Sequence, residues 1–243
     1  MGVAVSNWRL ARRVAELGEF GVVSGTGIDT VVVRELQRGD PHGRRRALQD
    51  YPDQEIVEYL VRKFYRADGI GGTEPYKLLP IHGFRPTARS RILSAATFSE
   101  VWLAKEGHEG LIGINLMAKL KRYTLAGMYG AMLAGVDAVF MGAGIPAEEP
   151  IELRKLAAGQ PARLRLEIDA SAAPDAARDV DVYYELDPAK VLDQPPTLRV
   201  PRFYPVIASD LLARILVKKL PRDAISGWII EGPAAGGHNA PPR

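Results

Sequence analysis

The chain has 243 residues, enough for one large α/β domain or two small ones. Hydrophobic residues make up 47% and charged residues 25%, an ordinary globular balance, and the net charge of +3 is scattered among interleaved acids, so neither a disordered chain nor a polybasic nucleic-acid binder is indicated. There is no cysteine, which removes disulfides and thiolate metal sites, and the four histidines (His42, His82, His108 and His238) show no metal-ligand spacing.

The N-terminus, Met1-Gly2-Val3-Ala4-Val5-Ser6, lacks the charged and apolar regions of a secretory signal. No apolar run reaches the length of a membrane span, so the expectation is a cytoplasmic, enzyme-like domain with no membrane or nucleic-acid partner. Residues Asn7 to Leu17 carry Trp8, Leu10, Ala11, Val14 and Leu17 at helical spacing. Gly18 stops that helix, and Phe20 to Ser24 reads as a strand ending in the loop Gly25-Thr26-Gly27.

Residues 28 to 93 interrupt the rhythm. Ile28 to Gln37 and Asp53 to Tyr65 predict helices, and the stretch is too long for a simple βα connection, so it reads as a helical insertion. The basic run His42-Gly43-Arg44-Arg45-Arg46 within it reads first as a solvated loop or helix face and second as a phosphate patch. A helix is then expected over Thr97 to Glu106, with Thr97 as N-cap and Glu100 three residues on. Strand Leu111 to Leu116, helix Leu120 to Ala134, strand Ala138 to Gly142 and helix Pro150 to Ala158 follow. Residues 162 to 200 form a second insertion, whose two alternating runs, Arg163 to Ile168 and Asp181 to Leu186, suggest half-exposed strands. The βα rhythm returns with strand Phe203 to Ala208, helix Asp210 to Leu220 and strand Gly227 to Glu231.

Repeated βα units with short apolar strands predict an α/β fold with a parallel sheet, a TIM (β/α)8 barrel before a Rossmann fold. Gly25-Thr26-Gly27 lacks the third glycine and the distal acid of a dinucleotide site. Strands ending near Ser24, Leu116, Gly142, Ala208 and Glu231, with an N-terminal stub, make at most six of the eight a closed barrel needs. Three places carry chemistry. Gly236-Gly237-His238 joins flexible backbone to a titratable imidazole just after a strand. Asn115 is an amide in mid-strand, satisfied by neighbouring backbone or free to bond a heterocycle edge as donor and acceptor. Glu231 ends its strand, where barrel active-site residues sit, or else pairs with a nearby cation.

Together these residues resemble the nitronate monooxygenase (2-nitropropane dioxygenase-like) flavoproteins. Gly113-Ile114-Asn115-Leu116 is similar to their strand-3 G-V-N-L element, and Ile229 through His238 is similar to their strand-6 signature, an apolar strand followed by Q-G-x-E-A-G-G-H. Asp137 to Pro146 and Ser6 to Ser24 are similar to their fourth strand with its loop and to their first helix and second strand. The resemblance implies a TIM barrel with FMN at its C-terminal mouth. His238 would be base or substrate-binding group, and Asn115, Gly236 and Gly237 would contact the flavin, with Glu231 beside it. The backbone of Met1-Gly2-Val3 matches the turn after strand 1 that lies against the ring, so Gly2 and Val3 join the cofactor set. On this alignment strand 1 and strands 7 and 8, with the phosphate site, are expected to fall outside the chain, leaving one partial barrel over residues 1–243. Glu231 stands where the family has Gln and Ala234 where it has Glu. The implied activity is FMN-dependent oxidation of alkyl nitronates by O2, with a small-molecule substrate and a possible homo-oligomer. The alternatives are a flavin-dependent enoyl-acyl-carrier-protein reductase, which shares the GGH element, and a non-catalytic fragment or interaction module.

Overall fold

The computed structural model describes residues 2–79, 88–166, 182–232 and 234–235. In chain order these form α1 (Trp8–Glu16), β1 (Gly21–Ser24), α2 (Ile28–Gln37), α3 (Arg44–Gln49), α4 (Gln54–Phe64), α5 (Ala88–Lys105), β2 (Ile112–Met117), α6 (Lys121–Leu133), β3 (Ala138–Gly142) and α7 (Glu149–Ala157). There follow β4 (Ala162–Leu166), β5 (Val182–Leu186), a short 3-10 turn (Pro188–Lys190), β6 (Arg202–Ile207), α8 (Asp210–Lys219) and β7 (Ile229–Ile230).

The mixed α/β fold centres on a curled five-stranded sheet, ordered β1-β2-β3-β6-β7, in which every neighbouring pair is parallel. The order never reverses along the sequence. A doubly wound sheet reverses direction at a switch point and carries helices on both faces; a sheet that always steps one way keeps its right-handed crossovers on one face. Side chains alternate accordingly. Val23, Ile112, Ile114, Leu116, Val139, Met141, Phe203 and Ile207 are all buried and face the helices. The opposite face carries Val22, Asn115, Met117, Tyr204 and Val206, all half-exposed. β4 and β5 leave this sheet and pair with each other antiparallel, as their alternating pattern suggests.

The N-terminal stub is a turn rather than a strand. The Val5 N–H donates to the Gly2 carbonyl, and Ser6 then lies along β1, its carbonyl accepting from the Ser24 N–H (2.8 Å). Asn7 caps α1 by accepting from the Arg9 and Leu10 amides, and Asp53 caps α4 by accepting from Ile56.

Two expectations are corrected. Thr97 is not an N-cap: α5 runs unbroken from Ala88 to Lys105, and the Thr97 hydroxyl donates to the Leu93 carbonyl one turn back. The residues before it, Ile92, Leu93, Ala95 and Ala96, are apolar or small and are buried on every side of the helix, so α5 is a core helix without the amphipathic stripe that marks a boundary. α6 crosses it closely at Gly130, where a Cβ would stand 2.1 Å from the Ser94 carbonyl oxygen. Nor is the basic run simply solvated. Arg44 is 1% exposed, its Nε donating to Glu35 of α2 (2.6 Å) and its Nη1 pairing with the equally buried Glu100 of α5. Glu100 also accepts from the Trp8 N–H at the start of α1 (2.5 Å). One guanidinium thus joins four helices, and although burial opposes its charge, Glu100 and Glu35 hold its pKa above the ordinary value.

At the N-terminal ends of the strands Asp137 plays a similar part. It accepts from the Ile112 N–H (2.9 Å), Lys105 Nζ (2.6 Å) and Arg199 Nη2 (2.8 Å), binding the end of α5 and the approach to β6 to the N-terminal rim of the sheet. Among the described residues no helix is long and apolar enough to cross a membrane, and no cluster of His, Asp and Glu could hold a metal ion.

Truncating one member of a buried ionic network leaves its partners charged and unpaired, at a cost of about 3–5 kcal/mol. Arg44→Ala is therefore expected to lower the urea-unfolding free energy by that amount; a loss below 1 kcal/mol would show that the triad is not holding the helices. Burial alone would raise the Asp137 carboxyl, but the Ile112 amide and the two cations hold it below its ordinary value of 3.8. A carboxylate with a depressed folded-state pKa adds stability above its unfolded pKa and loses it as pH falls through the folded value. The stability difference between wild type and Asp137→Asn is expected to be largest from pH 5 upward and to shrink below about pH 4 in thermal melts; a constant difference would contradict this role.

Candidate functional site

The open face of the sheet is built in rows by strand register. The first row is Val22, Gly113, Ala138 and Arg202; the second is Ser24, Asn115, Phe140 and Tyr204. The third is Met117, Gly142 and Val206, continued by Ile229 on β7. Aromatic rings fill the middle. Phe140 stacks on Tyr204 with centroids 5.2 Å apart and meets Phe20 edge-on at 5.3 Å. Gly113 is needed beneath them, because a Cβ there would stand 2.4 Å from the Phe140 ring. Small residues on this face therefore leave room for rings to lie across the strands.

Along the same row as Phe140 and Tyr204, toward β1, the face becomes polar. Asn115 is half-buried, and its amide has no hydrogen-bond partner among the described residues. Of the two readings of this mid-strand amide, satisfaction by neighbouring backbone is not what the described residues provide. Ser24, its register partner on β1, is 3% exposed, and its Oγ is buried without a partner. Neighbouring strands are spaced by about 4.8 Å, so the hydroxyl and the amide lie side by side on one face.

Glu231 follows β7 directly. Its backbone N–H donates to the Ile207 carbonyl (2.8 Å), and alternation from Ile229 puts its half-buried side chain on the same open face as Asn115. Three strand spacings separate the two, about 14 Å along the sheet. Gly2 and Val3 belong to the turn before α1. The Val3 side chain lies close to Gly27, in the loop that leaves the C-terminal end of β1. Gly236, Gly237 and His238 lie outside the described residues.

No protein-family model matches the chain, and no curated protein is matched either.

A charged pair beside the same strand ends escaped the sequence reading. Lys121, at the start of α6, donates to Glu149 at the start of α7 (2.6 Å), and Glu149 is fully buried. Burial pushes the Glu149 carboxyl up, against the pull of Lys121. The pair ties together the turns that leave β2 and β3, so it shapes the rim next to Asn115. Ser24 also escaped. Its signal was present as a polar residue closing an apolar strand, two positions after Val22, but only the register pairs it with Asn115.

An amide that bonds nothing can be removed without leaving an orphaned partner. Asn115→Ala is expected to shift the unfolding free energy of the ligand-free protein by no more than about 0.5 kcal/mol. A cost above 2 kcal/mol in chemical denaturation would show a structural hydrogen bond instead.

Proposed function

We propose that this chain follows a TIM-barrel plan and is an FMN-dependent oxidoreductase of the nitronate monooxygenase type. One observation carries the reading: Asn115 and Glu231, both singled out from the sequence for chemistry, share the open face of the parallel sheet, with Glu231 at the C-terminal end of β7 and Asn115 beside Ser24, which closes β1. The C-terminal ends of the strands are where barrel enzymes bind their ligands. The uniform strand order and one-sided helical cover support the barrel plan.

The face suits a planar heterocycle. It offers the rings of Phe20, Phe140 and Tyr204, and beside them in the same row an unpartnered amide and a buried, unpartnered hydroxyl. Asn115 would bond the ring edge as donor and acceptor. The Gly2–Val3 backbone and that of Gly236 and Gly237 would lie against the ring, where glycine permits close approach. Glu231 would sit near it as a carboxylate whose charge state follows its surroundings. Bound FMN would supply a two-electron acceptor that O2 can reoxidise. His238 would take a proton from the substrate carbon, or hold an anionic nitronate in place once protonated. That role rests on the strand-6 resemblance.

Stoichiometric quenching of FMN fluorescence on titration, followed by oxygen uptake with an alkyl nitronate and no NADPH consumption with an enoyl thioester, is the expected result. Absence of flavin binding removes the cofactor assignment; NADPH-dependent turnover moves the chain to the enoyl reductases. His238→Ala is expected to slow flavin reduction by substrate about 10²-fold or more, the usual reach of a general base, while FMN affinity changes less than about threefold. Equal reduction rates in stopped flow would take His238 out of the mechanism.

A further inference from the structure

Ser24 is a serine whose position costs stability. Its hydroxyl is buried at the end of β1, and neither its own backbone nor that of its neighbours satisfies it. The backbone around it is fully engaged: the Ser24 N–H donates to Ser6, and the Gly25 N–H donates to the Asn115 carbonyl (3.0 Å). The Ser6 hydroxyl, the nearest candidate from the adjoining segment, donates instead to the Val22 carbonyl (2.5 Å). A buried hydroxyl without a partner is unfavourable, and alanine or valine would fill the same strand position without that penalty.

The residue beside it explains the arrangement. Asn115 is the register partner of Ser24, projects from the same face, and is equally without a hydrogen bond among the described residues. Asn115 is half-exposed where Ser24 is buried, so the amide rather than the hydroxyl is open to a ligand on that face. A carboxamide on a single strand can rotate about its last torsion and present either its oxygen or its nitrogen. A hydroxyl fixed at its side removes that ambiguity.

We infer that Ser24 is a positioning residue for Asn115: in the ligand-bound protein its hydroxyl donates to the Asn115 carboxamide oxygen and turns the NH2 group toward a hydrogen-bond acceptor on the heterocycle edge. The inference rests on the flavin-site reading of the open face. Without ligand the two groups stay unpaired, and binding supplies the free energy that orders them. The preference is for a ring whose edge presents an acceptor to Asn115, and the ribityl phosphate takes no part in it.

The test is a double-mutant cycle with FMN and riboflavin, read by fluorescence quenching and by melting of the ligand-free proteins. Ser24→Ala is expected to weaken both flavins alike, by about three- to tenfold, the worth of one neutral hydrogen bond. In an Asn115→Ala background the same change is expected to have no effect, because the group it positions is gone. Ligand-free Ser24→Ala is expected to melt at the wild-type temperature or about 2–4 °C above it, as an unsatisfied polar group is removed. Ser24→Thr, which keeps the hydroxyl, is expected to recover affinity relative to alanine. Equal losses in both backgrounds would make Ser24 an independent ligand contact and overturn positioning. A loss confined to FMN would move the contact to the phosphate and overturn it as well. A lower melting temperature with unchanged affinity would mark a purely structural hydroxyl. Wild-type protein that binds neither flavin would remove the cofactor reading and this role with it, whereas normal wild-type binding with no effect of Ser24→Ala would overturn only the role of Ser24.

Discussion

The sheet is fully covered on the helical side and only partly on the other, and that asymmetry governs the molecule. Parallel strands are ordinarily buried on both faces. Here the helix-facing side chains, from Val23 to Ile207, are apolar and closed off from water, while the register rows on the other side hold Asn115, Tyr204 and Met117 at half exposure. Much of the apolar burial of the sheet therefore comes from the helical layer, while on the other face Ala138 and Phe140 are buried among rings, small residues and a few polar groups.

The helical layer in turn depends on charge. α2, α3 and α5 meet around a guanidinium as well as around packed apolar side chains, and the start of α1 is fixed to the same carboxylate that balances it. Buried ion pairs of this kind specify geometry more than they add stability. Arg44 can be satisfied in only one relative placement of three helices, whereas an apolar residue would accept several. A second such point, Asp137, fixes the N-terminal rim.

Much of this was legible in the sequence. The five parallel strands fall where short apolar runs sit between helical patterns, and the antiparallel pair falls where the pattern alternates, because burial on two faces or on one imposes those periods directly. Asn115 and Glu231 were visible as polar residues interrupting or ending apolar strands. What could not be seen was anything set by contact between distant segments. α5 hides its length because a helix buried all round has no period to read. Arg44 looked like a surface cation because its partners lie 9 and 56 positions away in the sequence, and the pairing of Ser24 with Asn115 exists only through strand register.

The antiparallel hairpin carries a last consequence. β4 pairs with β5 along one edge, but its other edge meets no strand among the described residues. The carboxyl groups of Glu152 in α7 and of Glu148 just before it accept from the Arg163 and Arg165 amides there, at 2.8 and 3.1 Å. Exposed edge amides invite pairing with a foreign strand, and proteins usually block them with bulges, prolines or covering loops. Here the block is two side chains rather than backbone, so the guard can be removed one amide at a time while the strand it protects is unchanged. One segment, Glu148 to Glu152, thus both closes the edge of the hairpin and, through Glu149, shapes the rim of the open face.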